Sequence, residues 1–320
     1  MNPNDCIEND LVALTRGHVL RNQSMSQRTR WKIGGNADVL VYPGDIAELS
    51  TIVGYLHRHG LPWITMGHTS NLLVDDHGIR GIVLVIAENL SGFAHDGQDV
   101  VAEAGMWVPG FASRLGRLGL SGAEHIIGIP GTLGGLVCMN GGSMRRGIGE
   151  NVVSVTCLDR TGQVIELDHA ACEFGRRTSR IQRDQLTVTK IRFRFDAGNP
   201  KQIRREMRTI LASRRKKFPL KMPNCGSVFV SDPANYASFG PPGAVIERCG
   251  LKGCRIGDAQ VSPRHANFIV NLGNASAGDT LKLIQHIRTT VLREMQCDLR
   301  CEVRFLSSDC QIRPAHEVAA

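Results

Sequence analysis

The sequence lacks several features that define large classes of protein. It has ten cysteines in 320 residues, but no two are spaced as CxxC, so neither a zinc knuckle nor a thioredoxin-type motif is indicated. Aromatic residues make up only 5%, which disfavours binding of single-stranded nucleic acid by stacking. No apolar run approaches the ~20 residues that cross a bilayer, and no secretory signal opens the chain. We therefore predict a reduced, cytoplasmic protein with no metal, membrane or nucleic-acid partner.

Charge and size narrow the prediction further. The chain has 38 Lys and Arg against 30 Asp and Glu, a formal net charge of +8, and a pI of about 9.1. A basic protein favours anionic partners such as nucleotides and phosphates. At roughly 100–200 residues per domain, the length predicts two or three domains.

One glycine-rich stretch, residues 125–143 (HIIGIPGTLGGLVCMNGGS), is unusual because the residues between its glycines are apolar. A surface linker would be polar there. Glycine lets a backbone approach another group closely, so the stretch could be buried main chain lying against a flat or anionic ligand. The alternative is a tight set of buried turns with no ligand.

Apolar spacing and turn residues predict an α+β fold. Asp45 is a candidate N-cap for a helix through about His59, with apolar residues at i, i+3, i+4 and i+7. Other helices are predicted over 7–20, 107–118, 201–218, 244–249 and 280–295. Strands are predicted over 39–42, 63–66, 72–74, 81–86, 100–104, 152–158, 164–167, 187–195, 257–261, 268–271 and 302–306, and a turn into a strand is predicted at 226–229.

Two further stretches leave alternatives open. Residues 67–71 (GHTSN) between predicted strands suit phosphate or ribose binding, although many hairpins have similar turns. The helix over 201–218 is strongly basic. Its cations form either a solvated face or an end that faces an anion.

Taken in order, seven blocks of the sequence resemble one enzyme family. They lie at 29–38, 67–73, 128–140, 174–179, 226–229, 250–271 and 302–306. Blocks 128–140 (GIPGTLGGLVCMN) and 250–271 (GLKGCRIGDAQVSPRHANFIVN) are long and specific. On these residues the chain resembles the UDP-N-acetylenolpyruvoylglucosamine reductase (UDP-N-acetylmuramate dehydrogenase, MurB) family, in its shorter subtype.

The resemblance implies an FAD-binding portion of the PCMH (vanillyl-alcohol-oxidase) type and a C-terminal α+β substrate domain. The implied bounds are an N-terminal extension at 1–20, an FAD-binding domain at 21–196 with subdomains at about 21–90 and 91–196, a substrate domain at 197–306 and a flexible tail at 307–320. The implied reaction is reduction of UDP-N-acetylglucosamine enolpyruvate in peptidoglycan precursor synthesis, with FAD as cofactor and NADPH as co-substrate.

Residue roles are implied position by position. Ser227 matches the proton donor to C2 of the substrate, and Arg177 and Glu302 match residues that bind and polarise its carboxylate. Lys217 and Arg176 are expected to add substrate-binding charge. The implied FAD-binding residues are Gly67, His68, Thr69, Ser70, Asn71, Leu72, Gly128, Ile129, Pro130, Gly131, Thr132, Gly134, Gly135 and Asn140.

Four positions depart from the family pattern. Arg176 stands where the family typically has Tyr, Thr69 where it has Gly, and Leu136 where it has Ala. After Phe229 the family usually continues with a basic residue, Asn and Pro, whereas this chain continues with residues 230–233 (VSDP). These departures bear on the substrate more than on the fold or on FAD.

Three functions are therefore compared. The first is the family reaction, carried out by a monomer. The second is a MurB-like reductase or oxidase acting on a different enoyl acid. The third is a flavin-binding module without activity, which the joint presence of Ser227, Arg177 and Glu302 disfavours.

Overall fold

A computed structural model describes residues 3–232 and 237–318, so Pro233 and the end of the predicted tail lie outside the described residues. The helices are α1 (Pro3–Leu14), α2 (Met25–Arg28), α3 (Ile46–Arg58), α4 (Val108–Leu118), α5 (Leu133–Cys138), α6 (Arg180–Arg183), α7 (Pro200–Lys217), α8 (Pro242–Arg248) and α9 (Ala277–Met295). The strands are β1 (His18–Ser24), β2 (Asn36–Tyr42), β3 (Trp63–Met66), β4 (Leu72–Val74), β5 (Ile79–Val85), β6 (Phe93–Asp96), β7 (Asp99–Glu103), β8 (Leu120–Ser121), β9 (Val152–Leu158), β10 (Val164–Asp168), β11 (Thr187–Arg194), β12 (Asp196–Ala197), β13 (Arg255–Ile256), β14 (Ala259–Val261), β15 (Ile269–Asn271), β16 (Arg304–Leu306) and β17 (Ile312–Pro314).

The helix boundaries follow local signals in the sequence. The Asp45 carboxylate accepts a hydrogen bond from the Glu48 N–H at 2.8 Å, which confirms Asp45 as the N-cap of α3. Gly119 ends α4 in the left-handed region, at φ 75°. Ser276 and Asp279 form a capping box at the start of α9.

Among the described residues, two larger sheets and three small ones make up the β structure. The larger sheets have strand orders β10-β9-β11-β7-β6, which is antiparallel, and β1-β2-β5-β3, in which β3 and β5 are parallel. In one small sheet β16 pairs in parallel with β4 and antiparallel with β17. The mixture of sheet and helix confirms the predicted α+β class.

The chain divides into two compact units, each assembled from separate stretches of sequence. The first contains residues up to Arg21, Val39–His68 and Ile82–Arg214, and the second contains Asn22–Asp38, Thr69–Gly81 and residues from Arg215 onward. Each unit has its own buried apolar core. The predicted junction at 196–200 lies inside the first unit, and the domain bounds implied by the resemblance stay a prediction.

Several predicted elements are wrong at their ends. The predicted helix 7–20 stops at Leu14 and is followed by β1, because Gly17 passes close to the chain of β2: a Cβ there would lie 1.7 Å from the Tyr42 carbonyl oxygen. The turn predicted at 226–229 leads into an isolated bridge between Phe229 and Cys301 rather than into a strand. Glu302 lies in a bend just before β16 rather than within a strand.

The predicted flexible tail is also corrected by the structure. After Ser307 the chain turns back as β17, which pairs with β16, and the Ala315 N–H donates to the Val303 carbonyl at 3.0 Å. Ala315 is buried, and the His316 ring accepts a hydrogen bond from the Cys301 N–H at 3.1 Å. The described part of the tail therefore completes the sheet around β16.

The remaining structural findings concern cysteines, metals and membranes. The nine cysteines that the structure describes are all free thiols. Within residues 3–232 and 237–318 there is no group of three or more His, Cys, Asp or Glu side chains placed to hold a metal ion. Among the same residues, none of the helices is both long and apolar enough to cross a membrane.

His125 is a buried titratable side chain in the first unit. It is 2% exposed, and neither ring nitrogen has a hydrogen-bond partner. Burial, with a smaller repulsion from Arg146, lowers the pKa of His125 to about 4. The folded protein thus holds a neutral imidazole that the unfolded chain would protonate at mildly acidic pH.

This burial predicts a loss of stability in acid. Below pH ~6.5 the unfolded state binds a proton that the folded state does not take up until about pH 4. The free energy of unfolding should therefore fall by up to ~3 kcal/mol over that range because of His125. His125→Phe should flatten this fall in urea titrations between pH 7 and 4. His95→Phe, which changes an exposed histidine on β6, is the control, and equal pH dependence of the two variants would contradict the assignment.

Candidate functional site

The glycine-rich run 125–143 lies in the first unit and is largely buried. It contains more than turns, because the short helix α5 begins directly after Thr132. The Leu133 N–H donates to the Met106 carbonyl at 2.9 Å, and the Gly134 N–H donates to the Ala104 carbonyl at 2.8 Å. These bonds hold the start of α5 against the segment that follows β7.

Close packing explains why glycines are needed at the start of α5. A Cβ on Gly67 would lie 2.3 Å from the Thr132 hydroxyl oxygen, and one on Gly134 would lie 2.9 Å from the Ala104 Cβ. Gly131 has φ 136°, a conformation that L side chains rarely adopt. Gly135 is exposed beside the Thr132 hydroxyl. Because the Leu133 and Gly134 N–H groups already bond to backbone carbonyls, the groups here that could contact the pyrophosphate of FAD are the exposed main chain at Gly135 and the Thr132 hydroxyl.

Arg214 of α7 lies across the beginning of the same run. A Cβ on Gly128 would lie 2.3 Å from the Cδ of Arg214, so only glycine leaves room for this side chain. Burial lowers the pKa of Arg214. Most other cations of α7 are exposed, so the helix has both a solvated face and one inward cation.

Hydrogen bonds join the end of the glycine-rich run 125–143 to the turn that carries Arg177. The Asn140 amide donates to the Gly175 carbonyl at 2.8 Å. The Arg177 guanidinium donates back to the Gly142 carbonyl at 2.8 Å and to the Asn140 carbonyl at 3.5 Å. The Ser179 hydroxyl donates to the Cys138 carbonyl at 2.7 Å. We call these bonds between residues 138–142 and 175–179 the Arg177 clasp.

Both principal residues of the clasp have left-handed backbones. Asn140 has φ 41° and Arg177 has φ 57°. A non-glycine residue in this region costs on the order of 1 kcal/mol and is maintained only where surrounding bonds enforce it. Arg177 is half-buried, whereas the neighbouring Arg176 is exposed. The fold therefore fixes Arg177 and leaves Arg176 at the surface.

Thr69 to Asn71, the rest of the predicted phosphate loop, belong to the second unit. Thr69 has φ 51°, which explains why a glycine is usual at this position. Its hydroxyl accepts a hydrogen bond from the Arg30 N–H at 3.3 Å, and its carbonyl accepts one from the Cys225 thiol at 3.5 Å. Burial raises the pKa of Cys225 to about 12, so the thiol remains a donor.

The second unit brings Ser227 and Glu302 onto adjacent segments. The Glu302 N–H donates to the carbonyl of Val228, the residue after Ser227, at 2.8 Å. The Asn71 amide donates to the Glu302 carbonyl at 3.0 Å. Asn71, Ser227 and Glu302 are all half-buried. Glu302 is thus hydrogen-bonded to Asn71, which is predicted to bind FAD, and to the backbone of the residue that follows Ser227.

Asn267 is a structural residue of this site that the sequence analysis did not single out. Its amide donates to the Phe229 carbonyl at 2.9 Å, its side-chain oxygen accepts from the Phe229 N–H at 2.9 Å, and its own carbonyl accepts from the Val228 N–H at 2.9 Å. An asparagine between apolar residues, as in HANFIV, was the available signal. Asn267 therefore fixes the backbone that follows Ser227.

The segment 230–232, whose sequence departs from the family pattern, forms its own contacts within the second unit. The Val230 N–H donates to the Arg300 carbonyl at 2.9 Å, and the Asp232 carboxylate forms a 2.5 Å ion pair with the Arg300 side chain. Lys217 is exposed at the end of α7. Leu136, the fourth departure, is buried in the core of the first unit and packs over Gly141.

Family models match both parts of the chain. A model described as "FAD binding domain" matches residues 37–168, and one described as "UDP-N-acetylenolpyruvoylglucosamine reductase, C-terminal domain" matches residues 218–306. The first match includes all of the predicted FAD-binding residues, and the second includes Ser227 and Glu302.

Two relatives that share one enzyme name are similar to this chain over most of its length. The chain is 43% identical over 92% of its length to UDP-N-acetylenolpyruvoylglucosamine reductase 1 of Corynebacterium glutamicum, of which it covers 88%. It is 40% identical over 91% of its length to the reductase of Heliobacterium modesticaldum, of which it covers 91%.

A solved structure agrees with these relatives. The crystal structure of UDP-N-acetylenolpyruvylglucosamine reductase (MurB) from Thermus caldophilus matches with a TM-score of 0.74 and 29% identity, covering 91% of this chain and 98% of that one. The chain therefore belongs to the UDP-N-acetylenolpyruvoylglucosamine reductase (MurB) family of FAD-dependent oxidoreductases, which act in peptidoglycan precursor synthesis.

Proposed function

We propose that this chain reduces the enolpyruvyl group of UDP-N-acetylglucosamine enolpyruvate to give UDP-N-acetylmuramate, with NADPH as the reductant. The names of the relatives supply the substrate. The structural observation that supports it best is the adjacency of Ser227 and Glu302, joined through the Val228 carbonyl. Bound FAD supplies the chemistry of hydride transfer to C3 of the enolpyruvyl group.

The protein must then stabilise the negative charge that develops on the substrate and supply a proton to C2. Addition of hydride at C3 converts the enolpyruvyl group into the enolate of a carboxylic acid, whose negative charge needs fixed partners. Arg177, held by its clasp, binds the substrate carboxylate. Glu302 shares a proton with that carboxylate, and Ser227 donates the proton that C2 receives. Hydride at C3 and a proton at C2 together complete the lactyl ether.

Exposed cations are proposed to help bind the nucleotide part of the substrate. Lys217 and Arg176 are both exposed, so their charges are accessible to an anionic ligand. We further propose that the protein works as a monomer and that it lies in the cytoplasm. The cytoplasmic location is supported by free thiols at the nine cysteines whose side chains are described.

A different enoyl acid is the second candidate substrate. The observation that favours it is the segment 230–232, where Asp232 pairs with Arg300 in place of the basic residue and Asn that the family usually carries. Both candidates share the flavin chemistry and differ in the second half-reaction.

Anaerobic stopped-flow absorbance separates the two candidates. NADPH should bleach the bound flavin, and UDP-N-acetylglucosamine enolpyruvate should then restore its absorbance within the time of a turnover. Free enolpyruvyl acids without the nucleotide serve as the comparison. Bleaching by NADPH without recovery on addition of the nucleotide would favour the second candidate over the first.

Ser227→Ala tests the proton donor. Loss of a positioned general acid typically slows turnover by about 10²–10⁴-fold, while flavin reduction by NADPH should stay at the parental rate. Ser308→Ala, which changes another half-buried serine of the second unit, is the matched control. Parental turnover in Ser227→Ala would remove Ser227 from the mechanism.

Gly131→Ala tests the FAD assignment without relying on activity. At φ 136° an added Cβ strains the backbone beside Thr132, so the variant should retain several-fold less flavin. The ratio of flavin to protein absorbance after purification measures this. Gly97→Ala, at φ 54° in open space at the β6–β7 turn, controls for strain alone. Equal flavin content in the two variants would argue against FAD at this run.

A further inference from the structure

Both polar atoms of the Asn140 side chain form hydrogen bonds within the protein. The amide nitrogen donates to the Gly175 carbonyl at 2.8 Å, and the side-chain oxygen accepts from the Gly149 N–H at 2.9 Å. The resemblance implied a cofactor-binding role for this residue. We propose instead that the Asn140 side chain is a positioning residue, which holds Arg177 in the orientation that binds the substrate carboxylate.

The geometry of the turn explains how Asn140 acts through Arg177. Gly175 and Thr178 bridge each other, with the Gly175 N–H donating to the Thr178 carbonyl at 3.0 Å. Arg177 lies inside this turn with φ 57°. The Asn140 side-chain amide donates a hydrogen bond to the Gly175 carbonyl, while the Asn140 backbone carbonyl accepts one from the Arg177 guanidinium. One residue therefore contacts both the backbone of the turn and the side chain that it carries.

The surroundings of Asn140 are shaped for an amide. Its own backbone has φ 41°, a conformation that Asn tolerates better than most residues. Gly147 and Gly149 lie against it, and a Cβ on either would come within 2.4 Å and 2.9 Å of the Asn140 side-chain oxygen. Two bare glycines thus make room for one side chain, and both of its polar atoms bond to backbone groups.

Loss of the amide should release the turn and leave the FAD-binding run in place. The start of α5 is held by the Met106 and Ala104 carbonyls, which Asn140 does not touch. Ser179 still ties its segment to the Cys138 carbonyl. The guanidinium of Arg177 would then sample several orientations, and misplacement by about 1 Å can cost on the order of 10²-fold in rate.

The test is a double-mutant cycle between Asn140 and Arg177, and it rests on the proposed role of Arg177 in binding the substrate carboxylate. Four proteins are compared: the parent, Asn140→Ala, Arg177→Ala and the double variant. The measurements are flavin content, bleaching by NADPH, and reoxidation by UDP-N-acetylglucosamine enolpyruvate together with its KM and kcat.

We expect Asn140→Ala to slow reoxidation or raise KM by about 10- to 100-fold, with flavin content and NADPH bleaching within two-fold of the parent. In the Arg177→Ala background, Asn140→Ala should add little, because the residue through which it acts is gone. Asn140→Asp keeps an oxygen for Gly149 but loses the donor to Gly175, so it should behave like Asn140→Ala. Asn151→Ala removes another side-chain bond of the first unit, to the Arg194 carbonyl, and should match the parent.

The outcomes that overturn the proposal are distinct. Additive effects of the two substitutions, or loss of flavin from Asn140→Ala with normal reoxidation of the remaining holoenzyme, would show that Asn140 does not act through Arg177. If Arg177→Ala itself reoxidises at the parental rate, then the role proposed for Arg177 fails first, and the positioning role fails with it.

Discussion

The Arg177 clasp is the constraint on which the placement of Arg177 depends. Hydrogen bonds run in both directions between residues 138–142 and 175–179, and their acceptors are backbone carbonyls. Such bonds fix the relative place of two loops that share no strand pairing. They also stabilise left-handed backbones at Asn140 and Arg177 that would otherwise be costly. The glycine-rich run therefore carries a second function, since its far end anchors a charged side chain.

Much of this organisation could be predicted from the sequence because it is encoded locally. Asp45 marks the start of α3 and Gly119 marks the end of α4, and both signals act within a few residues. The burial of 125–143 followed from its apolar spacers. The family and its flavin chemistry followed from the order of motifs along the chain.

The misplaced elements depend on contacts that are distant in sequence. Residues 15–20 have helical neighbours in the chain, but β1 forms because it pairs with β2, and Gly17 allows the close approach. The tail is an exception, because β17 pairs with β16 across only 6–10 residues and this local pair was missed in the sequence. The hydrogen bonds of Asn140 and Asn267 likewise join residues separated by 35 and 38 positions, beyond what any local pattern can indicate.

The pairing of β4 with β16 has a consequence for synthesis of the chain. Leu73 and Val74 of β4 are completely buried, yet the strand that pairs with them follows about 230 residues later, some 10–50 s at roughly 5–20 residues per second. Until then an apolar edge strand is made but has no partner within its own chain, a state prone to association with other chains. The ribosome must pass residue 306 before β4 can pair with β16, so truncated products that end earlier leave this sheet of the second unit open.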